Sequence, residues 1–317
     1  MLKRALGALA LVCAVTTAQA QTYPERPVKV IVGFSAGSGP DVIARAISAQ
    51  LTNDLKQQFY VENRTGANGA LAIKSLITSE PDGYTMLYSS SSISSVPHVY
   101  KSLGHDIMTE MIPVATSGIL DGYFMLVNPS TPVKSVAEFI DYAKKNRVVY
   151  GSPGVGNVLH LAAEMFKLKA GIEMEHVPFR GAAPLKQELL SGRIQVGGDQ
   201  LSTSLAEIRA GTLKALACNA SQRTAALPDV PTVRELGFPE LELEGWNGLF
   251  LPAKTPRDII EKLSQEIAAV VKQPDIVKRF EGMGAQSVGS RPADQDAILR
   301  RQMDQFRDVI RSLKIDQ

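Results

Sequence analysis

Cysteine is all but missing from this sequence: Cys13 and Cys218 are the two it has. Cys13 sits in an apolar leader, so one thiol is left and no internal disulfide can form. The fold must then rest on its core even in an oxidising compartment. A surplus of either charge is missing as well. The 34 basic and 32 acidic residues give +2, and Lys3 and Arg4 belong to the leader, which holds no acid, so the remainder is balanced. Nucleic-acid binding rests on excess Lys and Arg, so nucleic acid is excluded as a partner, and a polybasic membrane anchor with it. The four histidines show no metal spacing with cysteine. His160 and Glu164, one helical turn apart, offer two ligands at most and read as a surface pair. Neither a Gly-Lys-Ser/Thr phosphate loop nor a G-x-G-x-x-G turn with its later acid is present, so no cofactor is expected. Beyond the leader no run is apolar enough to cross a bilayer.

The leader itself has the three parts of a secretory signal. Lys3 and Arg4 supply the charge, residues 5–15 the short apolar stretch, and Ala18-Gln19-Ala20 the small-x-small end. Cleavage after Ala20 is expected, leaving residues 1–20 as signal peptide and an exported protein. Cys13 is a poor lipidation site, because bulky Leu11 and Val12 precede it. Roughly 300 residues remain, enough for two domains.

Along that remainder short apolar runs alternate with amphipathic segments. Strands are expected at 28–34, 84–89, 123–128, 148–152, 193–198, 213–220 and 248–253. Val30-Ile31-Val32 is apolar without alternation, as in a strand covered on both faces. Helices are expected at 40–51, where Pro40 falls in the first turn, and at 158–170, stopping at Gly171. A third should begin at Thr255-Pro256, read as N-cap and first residue, and a long C-terminal one is marked by Leu299, Met303, Phe306, Ile310 and Leu313. This alternation implies an α/β fold with mainly parallel sheets. Segments 123–128 and 248–253 are candidates to carry the chain between two lobes.

Two glycine-rich turns stand where strands give way to helices. The first is Gly33-Phe34-Ser35-Ala36-Gly37-Ser38-Gly39-Pro40-Asp41, the second Gly151-Ser152-Pro153-Gly154-Val155-Gly156-Asn157. Glycine allows close backbone approach. The helix start behind it presents unpaired N–H groups and partial positive charge, an anion site that needs no Lys or Arg. Phe34, Ser35, Ala36, Gly37, Ser38, Pro40 and Asp41 are candidate ligand contacts in one turn, and Ser152, Gly154, Gly156 and Asn157 in the other. Each turn alone is equally well an ordinary connection, and Asp41 equally a helix cap. The serine run gives Ser89, Ser90 and Ser91 after a strand. Arg180 is a candidate carboxylate partner or a solvated charge. Asp199 is expected just past a strand's C-terminal end, where α/β ligands gather. Gly33-Phe34-Ser35-Ala36-Gly37 also fits the G-x-S-x-G nucleophile elbow, which makes a secreted serine hydrolase using Ser35 the alternative. That chemistry needs an acid and then a histidine downstream, and the last histidine is His176, in an apolar-flanked stretch.

Several short stretches together resemble the Bug-type periplasmic receptors of tripartite tricarboxylate transporters. They include Tyr23-Pro24-Glu25-Arg26-Pro27, Asn63-Arg64-Thr65-Gly66-Ala67-Asn68-Gly69, Pro81-Asp82-Gly83-Tyr84-Thr85 and His176-Val177-Pro178-Phe179-Arg180-Gly181. Leu227-Pro228-Asp229-Val230-Pro231-Thr232 and Trp246-Asn247-Gly248 continue the series. The resemblance implies a two-lobed periplasmic binding protein (type II-like) with two crossing strands at the hinge. It implies a lobe of 21–121 and 247–317, a second of 122–246, and closure around a small carboxylate held by residues 37–41 and 152–157 and by Gly181 and Ala182. It also implies a non-enzymatic monomer that serves a membrane partner of one large and one small subunit. Three departures bear on the ligand: Gly37-Ser38 replaces the usual Gly-Gly, Phe179-Arg180-Gly181 the usual Tyr-Lys-Gly, and Val96-Pro97 the usual Asn-Pro.

Overall fold

The computed structural model describes residues 23–120 and 122–313, so the signal-peptide expectation for residues 1–20 lies outside the described residues. In chain order the strands are β1 (Val28–Val32), β2 (Phe59–Asn63), β3 (Thr85–Ser90), β4 (Met111–Leu120), β5 (Tyr123–Val127), β6 (Val149–Ser152), β7 (Glu175–Pro178), β8 (Val196–Gln200), β9 (Lys214–Cys218), β10 (Trp246–Pro252) and β11 (Ala285–Ser287). The helices are α1 (Gly39–Leu55), α2 (Ala70–Ile77), α3 (Val96–Val99), α4 (Ile107–Glu110), α5 (Val136–Ala143), α6 (Val158–Ala170), α7 (Ala182–Leu190), α8 (Leu201–Arg209), α9 (Arg257–Val270), α10 (Pro274–Gly282) and α11 (Pro292–Leu313).

The strands form two sheets, ordered β11-β4-β10-β3-β1-β2 and β7-β6-β8-β5-β9. The expected parallel pairing holds where strand–helix units repeat, in β2-β1-β3 and β7-β6-β8. The other pairs are antiparallel, so both sheets are mixed. The chain leaves the first sheet at the end of β4, enters the second through β5, and returns between β9 and β10.

Sequence explains most of this placement. β1 is buried on both sides: Val28, Val30 and Val32 join one apolar cluster and Ile31 the cluster on the opposite face. α6 starts where Asn157 caps it and ends where Gly171 turns left-handed at φ 61°. β2, β4, β7 and β11 carried no readable strand signal. β2 and β7 are edge strands of mixed polarity, and the apolar run of β4 is broken by Pro113, Thr116, Ser117 and Gly118. The third helix starts one residue later than expected. Pro256 is its N-cap, and Thr255 instead donates its hydroxyl to the Pro252 carbonyl at 2.8 Å.

α11 carries the C-terminal segment back onto the first sheet. Leu299, Phe306 and Ile310 are buried as its spacing requires, while the side chain of Leu313 lies outside the described residues. Its buried Gln302 is a hub: Oε1 accepts from Trp246 Nε1 at 2.8 Å and Ser94 Oγ at 3.1 Å, and Nε2 donates to the Glu244 carbonyl at 2.7 Å. Gln302→Met keeps the volume but strands two buried donors, each costing about 1–3 kcal/mol. The variant should lower the urea midpoint of unfolding by an amount equal to about 2 kcal/mol or more; an unchanged midpoint would show that the hub is not needed.

Candidate functional site

The first turn joins β1 to α1. Phe34 is half-buried, while Ser35, Ala36 and Gly37 are exposed. Ser38 is the N-cap of α1 in extended conformation, with φ −69° and ψ 160°, yet its side chain makes no cap bond. Its hydroxyl is buried and finds no partner among the described residues. Pro40 brings no N–H to the helix start, and the Gly39 and Asp41 amides meet no described acceptor.

The Asp41 side chain, by contrast, is fully engaged. One carboxylate oxygen accepts from the Gly37 amide at 2.8 Å, the other from Asn63 Nδ2 at 2.7 Å, and Arg45 Nε lies 3.0 and 3.1 Å from the two. Arg45 also donates to Asn63 Oδ1 at 2.8 Å, and Asn63 to the Phe34 carbonyl at 3.0 Å. Burial works against ionisation here, but the bonds from Arg45, Gly37 and Asn63 outweigh it and hold the Asp41 carboxyl below its usual range. Asp41 therefore braces the turn from behind.

The second turn, between β6 and α6, is underlain by aromatic rings. Ser152 is buried, its hydroxyl 2.7 Å from His176 Nε2 and donating to the Gly154 carbonyl at 3.1 Å. The Gly156 amide donates to His160 Nδ1 at 3.0 Å, which fixes His160 as a neutral ring protonated on Nε2. His160 and His176 stack with centroids 4.1 Å apart, and Tyr150 stacks on His176 at 4.7 Å. Glu164 accepts from the Tyr150 hydroxyl and pairs with Lys167 at 2.8 Å. His160 and Glu164 are thus no surface pair: α6 is packed on both sides, and both residues are buried. Burial holds both histidines below their ordinary value, to about 4, and the neighbouring ring adds to this for His160.

Two more helix starts meet these turns. Gly181 is the N-cap of α7 at φ 107°, and a Cβ built on it would lie 3.7 Å from Ser35 Oγ in the opposite lobe. The amides of Ala182 and Ala183 behind it meet no described acceptor. Arg180 next door is exposed. Asp199 lies inside β8, not past its end, because that strand begins at Val196 and runs to Gln200. Its carboxylate is saturated by the Gln200 amide at 2.8 Å, Thr203 Oγ1 at 2.7 Å and Ser204 Oγ at 2.5 Å. Burial pushes its carboxyl above the usual range in spite of these donors. It is Gln200, not Asp199, whose side chain reaches across: its Oε1 would be 3.1 Å from a Cβ on Gly39.

The serine run ends β3 and forms a tight turn, and all of it is buried. Ser90 Oγ accepts from the Ser92 amide at 3.3 Å, and Ser91 Oγ lies 3.0 Å from Tyr123 OH. Besides Ser91, further direct bridges to the second lobe come from residues that were not among the candidate ligand contacts. Asn68 Nδ2 donates to the Gly156 carbonyl at 3.1 Å, and the Ser95 hydroxyl, with one proton to give, lies 2.5 Å from the same oxygen and 2.8 Å from the Ser92 carbonyl. Tyr100 OH donates to the Val155 carbonyl at 2.8 Å. Asn157, which caps α6 through Oδ1, spends its Nδ2 on Asn68 Oδ1 and Ser92 Oγ, both at 3.3 Å. Asn68 stood in one of the stretches that carry the family resemblance, and its Asn-Gly pair favours the left-handed conformation it adopts at φ 51°.

Two sheets whose glycine turns and helix starts face one another define a two-lobed solute-binding protein. Among the described residues no His, Cys, Asp or Glu cluster could hold a metal ion, and no helix is long and apolar enough to cross a membrane. Residues 43–315 match the family model described as the tripartite tricarboxylate transporter family receptor, and this chain belongs to that family. It is 31% identical over 300 residues to Protein BugT of Bordetella pertussis, covering 92% of this chain and 90% of that one. The structure of the periplasmic binding protein BugD superposes with a TM-score of 0.86 at 28% identity, covering 93% of this chain and 100% of the other. A protein of R. palustris solved with adipate superposes with a TM-score of 0.85 at 30% identity, over 91% of this chain and 97% of its own.

The buried rings make stability depend on pH. Exposed in the unfolded chain, each histidine takes a proton near 6.5; folded, it holds out to about 4. The unfolded state binds more protons in that window, so the contribution is complete above pH 6.5 and is lost as pH falls towards 4. Asp199, raised by burial, works with the opposite sign, so the histidine part is isolated by comparison with His160→Gln. Urea unfolding at pH 7 and pH 5 should show wild type losing more stability than the variant; equal losses would contradict a buried neutral His160.

Proposed function

We propose that this chain is the exported receptor of a tripartite tricarboxylate-type transporter and that its ligand is a small organic carboxylate. The observation that carries this reading is the meeting of two incompletely capped helix starts. The α1 start offers the Gly39 and Asp41 amides and the unpartnered Ser38 hydroxyl, and the α7 start offers Ala182 and Ala183, with Ser35 and Gly181 face to face between them. Such starts favour an anion without any cation nearby, which suits a chain of balanced charge. The adipate held by the R. palustris relative supports a carboxylate as the class. Asp41, Ser152 and Asp199 shape the cleft from behind, since their polar atoms are already engaged.

The finer points of the proposal follow from the same reading. Residues 1–20 are the signal peptide, cleaved after Ala20, and the mature protein works in the periplasm as a monomer. Residues 21–121 and 247–317 make one lobe and 122–246 the other. The membrane partner has one large and one small subunit. The chain is not an enzyme. Among the described residues Ser35 makes no hydrogen bond to a histidine, and the serine that lies against one, Ser152, is 0% exposed.

A thermal-shift panel of adipate, malate, aspartate, glutamate and benzoate tests this. A ligand at a hundred times its Kd adds about 2.7 kcal/mol, so at least one member should raise the Tm by about 5 °C or more. Ser38→Ala should weaken that binding without lowering the ligand-free Tm, since it removes a buried hydroxyl that has no partner. No shift from any member, or labelling of Ser35 by a fluorophosphonate, would overturn the proposal.

A further inference from the structure

Gly156 is gripped from both ends. Its amide donates to His160 within its own lobe, at 3.0 Å, and in the opposite lobe its carbonyl meets the Ser95 hydroxyl at 2.5 Å and accepts from Asn68 at 3.1 Å. The backbone approaches that lobe so closely that a Cβ here would lie 2.8 Å from both methyls of Val99, and its φ is +73°. Both facts require glycine. The flanking residues repeat the pattern, Val155 through Tyr100 and Asn157 through Asn68 and Ser92. None of these bonds uses the free amides of α1 and α7.

We propose that the Gly156 peptide is a clasp for the closed lobes, with Asn68 and Ser95 as the positioning residues that seize its carbonyl and His160 as the residue that presents it. This rests on the receptor reading, in which solute is captured by closure. A solute can shift the open–closed equilibrium only by its differential contact with the two states. Direct bonds between lobes shift it by a fixed factor whatever the solute, and so set how long a captured solute stays. His160 contributes by holding the Gly156 amide, which keeps the carbonyl turned outwards. The stacked His176 and Tyr150 rings, and the Glu164–Lys167 pair behind them, hold His160 in place.

Single-molecule fluorescence transfer on the full chain tests the clasp with no solute added. Dyes are carried on Lys74→Cys and Lys145→Cys, exposed positions on either side of the cleft. Losing one net hydrogen bond should lower the closed-to-open ratio about fivefold. Ser95→Ala and Asn68→Gly should each do so and the double variant more, while Arg234→Ala, on the surface of the second lobe, should leave the ratio at the wild-type value. Glycine tolerates the left-handed backbone at position 68, and Ser95→Ala decides alone if that variant misfolds. A wild-type ratio in Ser95→Ala overturns the clasp. The readout is independent of the carboxylate panel, so failure of the ligand reading and failure of the clasp appear in different experiments.

Discussion

A helix start carries amides that the helix itself cannot satisfy, and in this protein α4, α5 and α6 have one of them claimed by the cap side chain next door. Asn157 takes the Leu159 amide, Ser135 takes that of Glu138, and Asp106 takes that of Met108. Several other starts have no side-chain cap, and α1 and α7 are the two of these that meet across the lobes, their caps being Ser38 with an idle side chain and Gly181 with none. The shape of the cleft thus depends on incomplete self-capping. At α1 and α7 dipole and donors are left facing the opposite lobe, where Gly181 stands by Ser35 and Gly39 by Gln200.

The two lobes are tied by more than a pair of crossings. Tyr123, Leu159 and Leu161 of the second lobe share an apolar cluster with Tyr88, Val99 and Leu249 of the first. On top of that sits the hydrogen-bonded contact of Asn68, Ser92, Ser95 and Tyr100 with residues 155–157. Apolar contact gives strength without direction, whereas bonds to a particular carbonyl fix the register of one lobe on the other. The neutral imidazole under Gly156 belongs to the same design. It gives a buried amide an acceptor that carries no charge, so the turn can lie dry against the opposite lobe.

The sequence made elements with a single strong pattern legible and hid those set by partners far along the chain. β1 and α6 were readable because an unbroken Val/Ile run and an apolar helical spacing stopped by Gly171 each admit one local answer. β4 was not, since its polar residues are satisfied only after folding: the Ser117 hydroxyl meets Tyr88 at 2.8 Å, and the Thr116 amide meets Ser290 at 2.8 Å. The site shows the same division. Both glycine turns were visible as turns; the first stands opposite Gly181 and Gln200, and the second lies against Asn68, Ser95 and Val99. Whether Asp41 is free for a ligand could not be read, because Asn63, which helps to occupy it, comes from a different strand. His160 looked like surface from its spacing to Glu164; burial became evident only with α6 packed between the second sheet and the first lobe.

Ser38 shows how one such departure can matter. A serine at an N-cap ordinarily accepts from the amide two or three residues on, a bond worth about 1 kcal/mol. Here that bond is not made, and the hydroxyl is buried without a partner, a condition that costs about 1–3 kcal/mol. Both deficits sit at one point, beside the unclaimed amides of Gly39 and Asp41. A glycine in this place, as in the Gly-Gly pair that the resemblance led one to expect, would leave neither. A solute oxygen arriving there would accept from the hydroxyl and from the helix start together, so the substitution adds a directional donor to what would otherwise be a bare dipole. On the proposed reading, discrimination at this end would depend on where the solute places its oxygen, and charge alone would not be enough.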